Sequence, residues 1–170
     1  ILFTNLSEDD CCFGFGAAAT ALVGVHFGAN AIERGHLAGW VAAAFSAVLC
    51  GLVGWAVALF PGLWANLFTQ AETVRDACRS YLQIVGPFYA FYGVSLCLYF
   101  ASQGAGRVLW PVIASVLRVI VIVLGCISVA SAPSANAAQF FWVIALGLAA
   151  QGFLTGAAIR LGAWRVSPSA

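Results

Sequence analysis

Charge is what this sequence has least of. Asp, Glu, Lys and Arg make up 8% of its 170 residues, against about 25% in an ordinary soluble domain. So few charges cannot cover the surface of a folded domain this size, which excludes a water-soluble monomer. Lysine is absent, and the seven arginines are scattered. With a formal net charge of +1, there is neither the field nor the clustered basic footprint that a nucleic-acid partner requires. Methionine is absent as well. Removal of an initiator Met generally requires a small second residue, and Ile1 is not one, so the chain reads as an internal piece of a longer protein. The six cysteines include no C-x-x-C pair. Cys50, Cys97 and Cys126 lie in apolar runs, where Cys behaves as a small hydrophobe, while Cys11 and Cys12 are adjacent and Cys78 sits in a polar stretch. Metal and redox sites therefore have no support. Catalytic signatures are missing too, with no H-E-x-x-H, no G-x-S-x-G and no paired acids at depth. An enzyme is not expected. The first ten residues carry Glu8, Asp9 and Asp10, the reverse of the basic start of a signal peptide.

What the chain does have is apolar length: 63% of it is hydrophobic. A membrane-crossing helix needs about 20 mostly apolar residues, and about five windows qualify: Cys11 to Ile32, Leu37 to Phe60, Tyr81 to Ala105, Val108 to Ala132 and Ala137 to Ile159. They are parted by Glu33–His36, by the polar stretch Pro61 to Ser80, by Gly104–Arg107, and by Ser131 to Asn136 with Pro133. This predicts an all-α polytopic transmembrane bundle of about five spans. Residues 1–10 form a non-spanning start, residues 11–165 the bundle, and residues 166–170 a tail. Loop arginines set the orientation. Arg34, Arg107, Arg160 and Arg165 fall on one side, which reads as cytoplasmic together with the C-terminus. Arg75 and Arg79, diluted by Glu72 and Asp76, fall on the other. Trp40, Trp64, Trp110, Trp142 and Trp164 lie near span ends, as an aromatic belt would.

Glycines four apart, Gly24/Gly28 and Gly152/Gly156, permit close helix approach. The third span is richer. Gly86-Pro87 predicts a kink or broken turn, because proline removes a donor and clashes with the preceding turn. Beyond it Phe88, Tyr92, Ser95, Tyr99 and Ser102 share one helical face, and Gly86, Gly93, Cys97 and Gly104 form a stripe on another side. The glycine stripe suits packing. The aromatic-hydroxyl face has two readings: it lines a wet cavity whose rings hold an organic cation, or it fills the bundle and hydrogen-bonds between helices.

Arg118 stands near the middle of the fourth span, where an Arg costs about 2.5–3.5 kcal/mol on insertion scales. It must find an acceptor, yet no Asp or Glu falls within any span. It is either a gate or anion-facing group, or a helix-to-helix strut, with carbonyls freed at the Gly-Pro break or a carboxylate elsewhere as acceptors. His26 and Asn30 share a face near the end of the first span and are weaker polar candidates, His26 as a proton relay or a structural donor. Gln103, like Gln83, Gln139 and Gln151, suits a helix bridge or a pathway equally.

Several motifs resemble a known family. Gly14-Phe15-Gly16-Ala17-Ala18-Ala19-Thr20-Ala21-Leu22-Val23-Gly24, running on to Gly28-Ala29-Asn30, is similar to a signature of the MATE multidrug and toxic compound extrusion transporters. Tyr81-Leu82-Gln83-Ile84-Val85-Gly86-Pro87-Phe88, then Gln103-Gly104-Ala105-Gly106-Arg107 and Pro111, resembles that family's tenth helix and its following turn. Arg118 falls where some members carry an Arg in the eleventh. The resemblance runs from Phe13 to Arg165 and implies helices eight to twelve, the C-terminal lobe of a two-lobe transporter. It further implies a multi-pass protein of the plasma (inner) membrane, exporting small organic and often cationic compounds in exchange for sodium ions or protons. The expected partners are the N-terminal lobe and seventh helix of the same protein, the substrate and the lipid bilayer, with no bound cofactor beyond the coupling ion. The alternatives are a flippase for lipid-linked or polysaccharide intermediates and a structural membrane-bundle subunit. One branch of the family binds its cation with an acid in the tenth helix. The matching position here is Gly93, which moves any coupling acid outside these residues.

Overall fold

A computed structural model describes residues 9–68, 71–131 and 136–164. The segment 1–8, the turn around Pro133, Arg165 and the tail 166–170 lie outside the described residues. Every regular element among the described residues is helical: α1 Asp9–Gly28, α2 Ile32–Leu59, α3 Pro61–Phe68, α4 Glu72–Val85, a 3-10 turn Gly86–Phe88, α5 Tyr89–Gly104, α6 Leu109–Ala130, α7 Ala137–Ala158 and a wide π-type turn Ile159–Ala163. Four stretches are long and apolar enough to cross a membrane: Ile32–Leu59, Glu72–Gly104, Leu109–Ala130 and Ala137–Ala163. In α1 the corresponding apolar stretch is the shorter Gly14–Gly28. The protein is an all-α polytopic bundle.

Two of the expected separators are helical instead. Glu33–His36 forms the opening of α2, and the polar residues Glu72 to Ser80 open α4, which runs through the 3-10 turn into α5. The physical reason is that polar residues near a helix start do not break it. Carboxylates there are favoured by the helix dipole, and in α4 each acid also pairs with an Arg one turn on. Arg75 Nη2 donates to Glu72 Oε1 and Arg79 Nη1 to Asp76 Oδ1, both at 3.3 Å. The Gly86-Pro87 break is a single tight turn between two helices, closed by the Tyr89 N–H donating to the Gly86 carbonyl.

The first span stops at Gly28, short of Ile32, because Asn30 takes a left-handed conformation with φ 56°. The Ala31 N–H then donates to the His26 carbonyl at 2.8 Å and the Asn30 N–H to Phe27 at 3.1 Å. This is the Schellman pattern. The end of α5 repeats it. Gly106 has φ 67°, with Arg107 N–H on Ser102 O at 2.9 Å and Gly106 N–H on Gln103 O at 3.0 Å.

Helix α5 is the axis of the bundle, packed on α1, α2 and α7. Its small-residue stripe makes this possible. A Cβ added to Gly86 would stand 2.6 Å from the Gly54 carbonyl oxygen, and one on Gly93 2.8 Å from that of Ser46. A Cβ on Gly104 would collide with the carbonyl oxygen of Thr20. Backbone touches backbone along both α1 and α2, the contact that drives helix association in lipid. Of the α1 glycine pair, Gly24 meets Gly104 while Gly28 faces open space. Hydroxyls reinforce the seam. Ser46 Oγ donates to the Gly93 carbonyl at 3.0 Å, and Thr20 Oγ1 to the Phe100 carbonyl at 2.8 Å.

Helix α6 lies outside, held mainly by α7. Pro111 and Ala114 are its buried residues, and Val116, Val119, Ile120, Val123, Leu124 and Ile127 point outward. In water such a face would be an aggregation site; in a bilayer it is solvated by acyl chains. Trp164 corrects the belt expectation. It is fully buried and closes one end of the core with Ala19, Val23, Ala43, Cys97, Leu98, Ala101 and Ile159. Phe27 meets it edge-on at 5.8 Å, and the His36 ring lies 5.0 Å away. Gly39 leaves the room it needs, since a Cβ there would stand 2.8 Å from the indole.

Candidate functional site

The aromatic-hydroxyl face of α5 turns toward α7, and it divides. Ser95 and Ser102 are buried. Ser95 Oγ lies 3.3 Å from Thr155 Oγ1 of α7, and Ser102 Oγ accepts the Trp164 indole N–H at 3.0 Å. These two candidates join helices instead of lining a cavity. Burying a hydroxyl is tolerable when it finds such a partner; α7 supplies one for Ser95 and the residue after the π-type turn supplies the other. Tyr99, half-buried, sits edge-on to Phe100 at 5.9 Å.

At the far end of α5 the rings gather. Phe88 and Tyr92 pack, with Tyr81, Ile84, Tyr89, Phe141 and Ile144, around a small core of Val85, Ala145 and Leu148. Phe88 meets Trp142 edge-on at 6.2 Å and lies tilted by 31° to Phe91 at 6.4 Å, and Tyr81 meets Phe141 edge-on at 5.4 Å. Trp142 and Phe91 stay exposed on this cluster. The 3-10 turn at Gly86 sets it up. Gly54 lets the break press against α2, and the turn starts α5 with Phe88, Phe91 and Tyr92 beside the start of α7. Aromatic faces in a partly desolvated setting attract an organic cation, by ~2 kcal/mol or more per good contact. The α7 contribution, Phe141 and Trp142, was absent from the expected set. The signal for it was the Phe140-Phe141-Trp142 run opening the fifth span.

Arg118 reaches across to α7. Its Nη1 donates to Gln151 Oε1 at 2.7 Å, Gln151 Nε2 donates to Ser115 Oγ at 3.1 Å, and Ser115 Oγ donates to the Pro111 carbonyl at 2.9 Å. The acceptor is thus an amide, not a kink carbonyl or a carboxylate. Gly147 lies against the Arg118 stem, a Cβ there falling 3.6 Å from Arg118 Cγ. Arg118 Nε is buried with no hydrogen-bond partner. These hydrogen bonds tie the middle of α6 to α7.

The weaker candidates have local roles. His26 Nδ1 is 2.7 Å from the Leu22 carbonyl, a bond within its own helix. Asn30 is the helix-ending residue described above, and Gln103 is exposed at the end of α5. Gln139 joins Asn136 in a capping box that starts α7. Among the described residues, no three His, Cys, Asp or Glu side chains converge on a possible metal site.

The arginines segregate by end. The ends of α1, α5 and α7 and the start of α2 meet around Trp164, and Arg34, Arg107 and Arg160 surround this end with Glu33 as the described acid nearby. At the opposite end Arg75 and Arg79 are paired within α4.

Comparison with known proteins adds one finding. The family model MatE matches residues 11–127, more than half of the chain. No curated protein and no solved structure matches it significantly. The matched segment holds nearly all of α1, α2 to α5 and most of α6, including the glycine seam and the Gly86-Pro87 turn. The chain belongs to the MatE family, whose members are membrane transporters.

Proposed function

We propose that the chain forms part of a secondary active antiporter that exports organic, often cationic, compounds in exchange for sodium ions or protons. The observation that carries this reading is the aromatic cluster where α4, α5 and α7 meet, with Phe88, Tyr92, Phe91 and Trp142 on rings that are half-buried or exposed. Such rings recognise charge and flatness without demanding one ligand, which suits a broad cargo class. The protein carries out transport, not catalysis. The chain corresponds to helices eight to twelve, the C-terminal lobe. Its partners are the N-terminal lobe and seventh helix of the same protein, the small organic substrate and the bilayer. No Asp or Glu side chain lies at mid-depth among the described residues, so the coupling carboxylate belongs to that other lobe. The Arg34–Arg107–Arg160 end faces the cytoplasm of a plasma (inner) membrane, in line with the tendency of basic residues to stay on that side.

A flippase of lipid-linked or polysaccharide intermediates is less well supported. It calls for several basic groups along the path, and Arg118 is already engaged by Gln151. The test is accessibility in the full-length protein. Tyr92→Cys and Tyr99→Cys should react with aqueous thiol reagents, and an organic cation should protect Tyr92→Cys. If neither position reacts in any transport state, α5 lines no aqueous path and the assignment fails, leaving a structural bundle.

A further inference from the structure

The turn between α5 and α6 borders a groove of about 500 Å3, lined by Arg107, Val108, Leu109, Trp110, Val112 and by Ala163 from the end of α7. The groove lies at the end of two membrane-length helices, so it opens at the membrane-water boundary. Its chemistry is graded. Arg107 stands at the turn, Trp110 three residues further on, and Val108, Leu109 and Val112 continue into the outward apolar face of α6, through Val116, Val119, Ile120 and Val123. The Schellman turn, with the Arg107 N–H held on Ser102 O at 2.9 Å, fixes the point from which the guanidinium projects. Arg34 and Arg160 add positive charge at this end of the bundle, where Glu33 is the described acid.

We propose that this groove binds an anionic phospholipid, with Arg107 contacting the headgroup phosphate, Trp110 at the headgroup level and one acyl chain along the outer face of α6. Each component answers a part of the ligand. A guanidinium matches phosphate oxygens, Trp favours the boundary where one side is wet and the other apolar, and a basic pocket beside membrane helices suits anionic headgroups. The inference goes beyond the transport reading and does not depend on the cargo. A lipid seated here would bridge α6, which α5 barely touches, to the end of α7.

The test uses the purified, delipidated full-length protein in neutral detergent. Thermal stability and native mass spectrometry are read with phosphatidylglycerol, with phosphatidylcholine of the same acyl chains, and with inorganic phosphate alone. Phosphatidylglycerol should bind and raise the melting temperature, while phosphatidylcholine and phosphate should do neither at equal concentration. Arg107→Gln should weaken phosphatidylglycerol about fivefold, the effect of one basic group near an anionic surface, and Arg34→Gln should have a smaller effect. Val112→Trp, which fills the groove and leaves every charge in place, should also abolish binding, and it decides the matter if Arg107→Gln does not fold. Equal response to phosphatidylcholine or to phosphate alone would overturn the proposal. So would undiminished phosphatidylglycerol binding in the Val112→Trp protein, or an equal loss in Arg34→Gln.

Discussion

Substituting Gly86 by Ala isolates the contact on which the bundle turns. Gly86 has φ −50° and ψ −50°, a conformation open to any residue, so Ala brings no backbone strain. What it brings is a methyl group 2.6 Å from the Gly54 carbonyl oxygen and 3.1 Å from Ala58 Cβ. Ordinary van der Waals contact begins near 3.4 Å, so α2 and the break must part by 0.8 Å (3.4 less 2.6). A gap of that size forfeits about a quarter to a half of each contact's attraction. Because the neighbour is backbone, no side chain can swing aside. Overpacking of this kind costs about 1–3 kcal/mol. Gly14→Ala is the control, since a Cβ there has nothing within 4 Å and gains up to about 1 kcal/mol of helix propensity. Stability of the full-length protein in mixed micelles, followed through denaturing-detergent titration, should fall for Gly86→Ala and hold or rise for Gly14→Ala. A Gly86→Ala protein as stable as the wild type would refute the backbone-contact account of how α2 packs on the turn that opens into α5.

Gln151→Leu should destabilise by about 1–3 kcal/mol, because it strips the acceptor from a charged donor. A double-mutant cycle with Arg118→Met should recover much of that loss, and full additivity would deny the strut. Trp164→Phe keeps most of the packing and removes the bond to Ser102. It should cost about 0.5–1.5 kcal/mol, and Ser102→Ala should then add little in the same titration. Asn30→Val should cost on the order of 1 kcal/mol through its positive φ, whereas Asn30→Gly should be neutral or better. Equal stabilities of the two would contradict the helix-ending role.

The pattern of legibility follows from how local each constraint is. The apolar spans can be read because the bilayer demands about 20 residues of one character. The glycine stripe on α5 can be read because helical period alone puts Gly86, Gly93 and Gly104 on one side. Helix starts are misread where polar residues open a helix. Glu33–His36 and Glu72–Ser80 resemble loops by composition and are helical by first-turn electrostatics. Asn30 could have been recognised as a helix stop, since Asn is the usual alternative to Gly there. Long-range partners are not legible at all. Nothing near Ser95, Ser102 or Arg118 in sequence announces Thr155, Trp164 or Gln151, which are 60, 62 and 33 residues away. A similar separation hides Phe141 and Trp142 from Phe88 and Tyr81, so the α7 side of the aromatic cluster emerges only when α7 is laid against α5.

The central claim is that this helix bundle belongs to an ion-driven exporter whose path touches the aromatic cluster. It is tested most directly by reconstituting the full-length protein in liposomes and imposing a sodium or proton gradient on a fluorescent organic cation. The account predicts gradient-driven cation transport that falls at least about tenfold in Phe88→Ala and Tyr92→Ala proteins, the effect of losing a desolvated ring contact, with folding intact. Transport that ignores both gradients, or that proceeds unchanged without these rings, would contradict it.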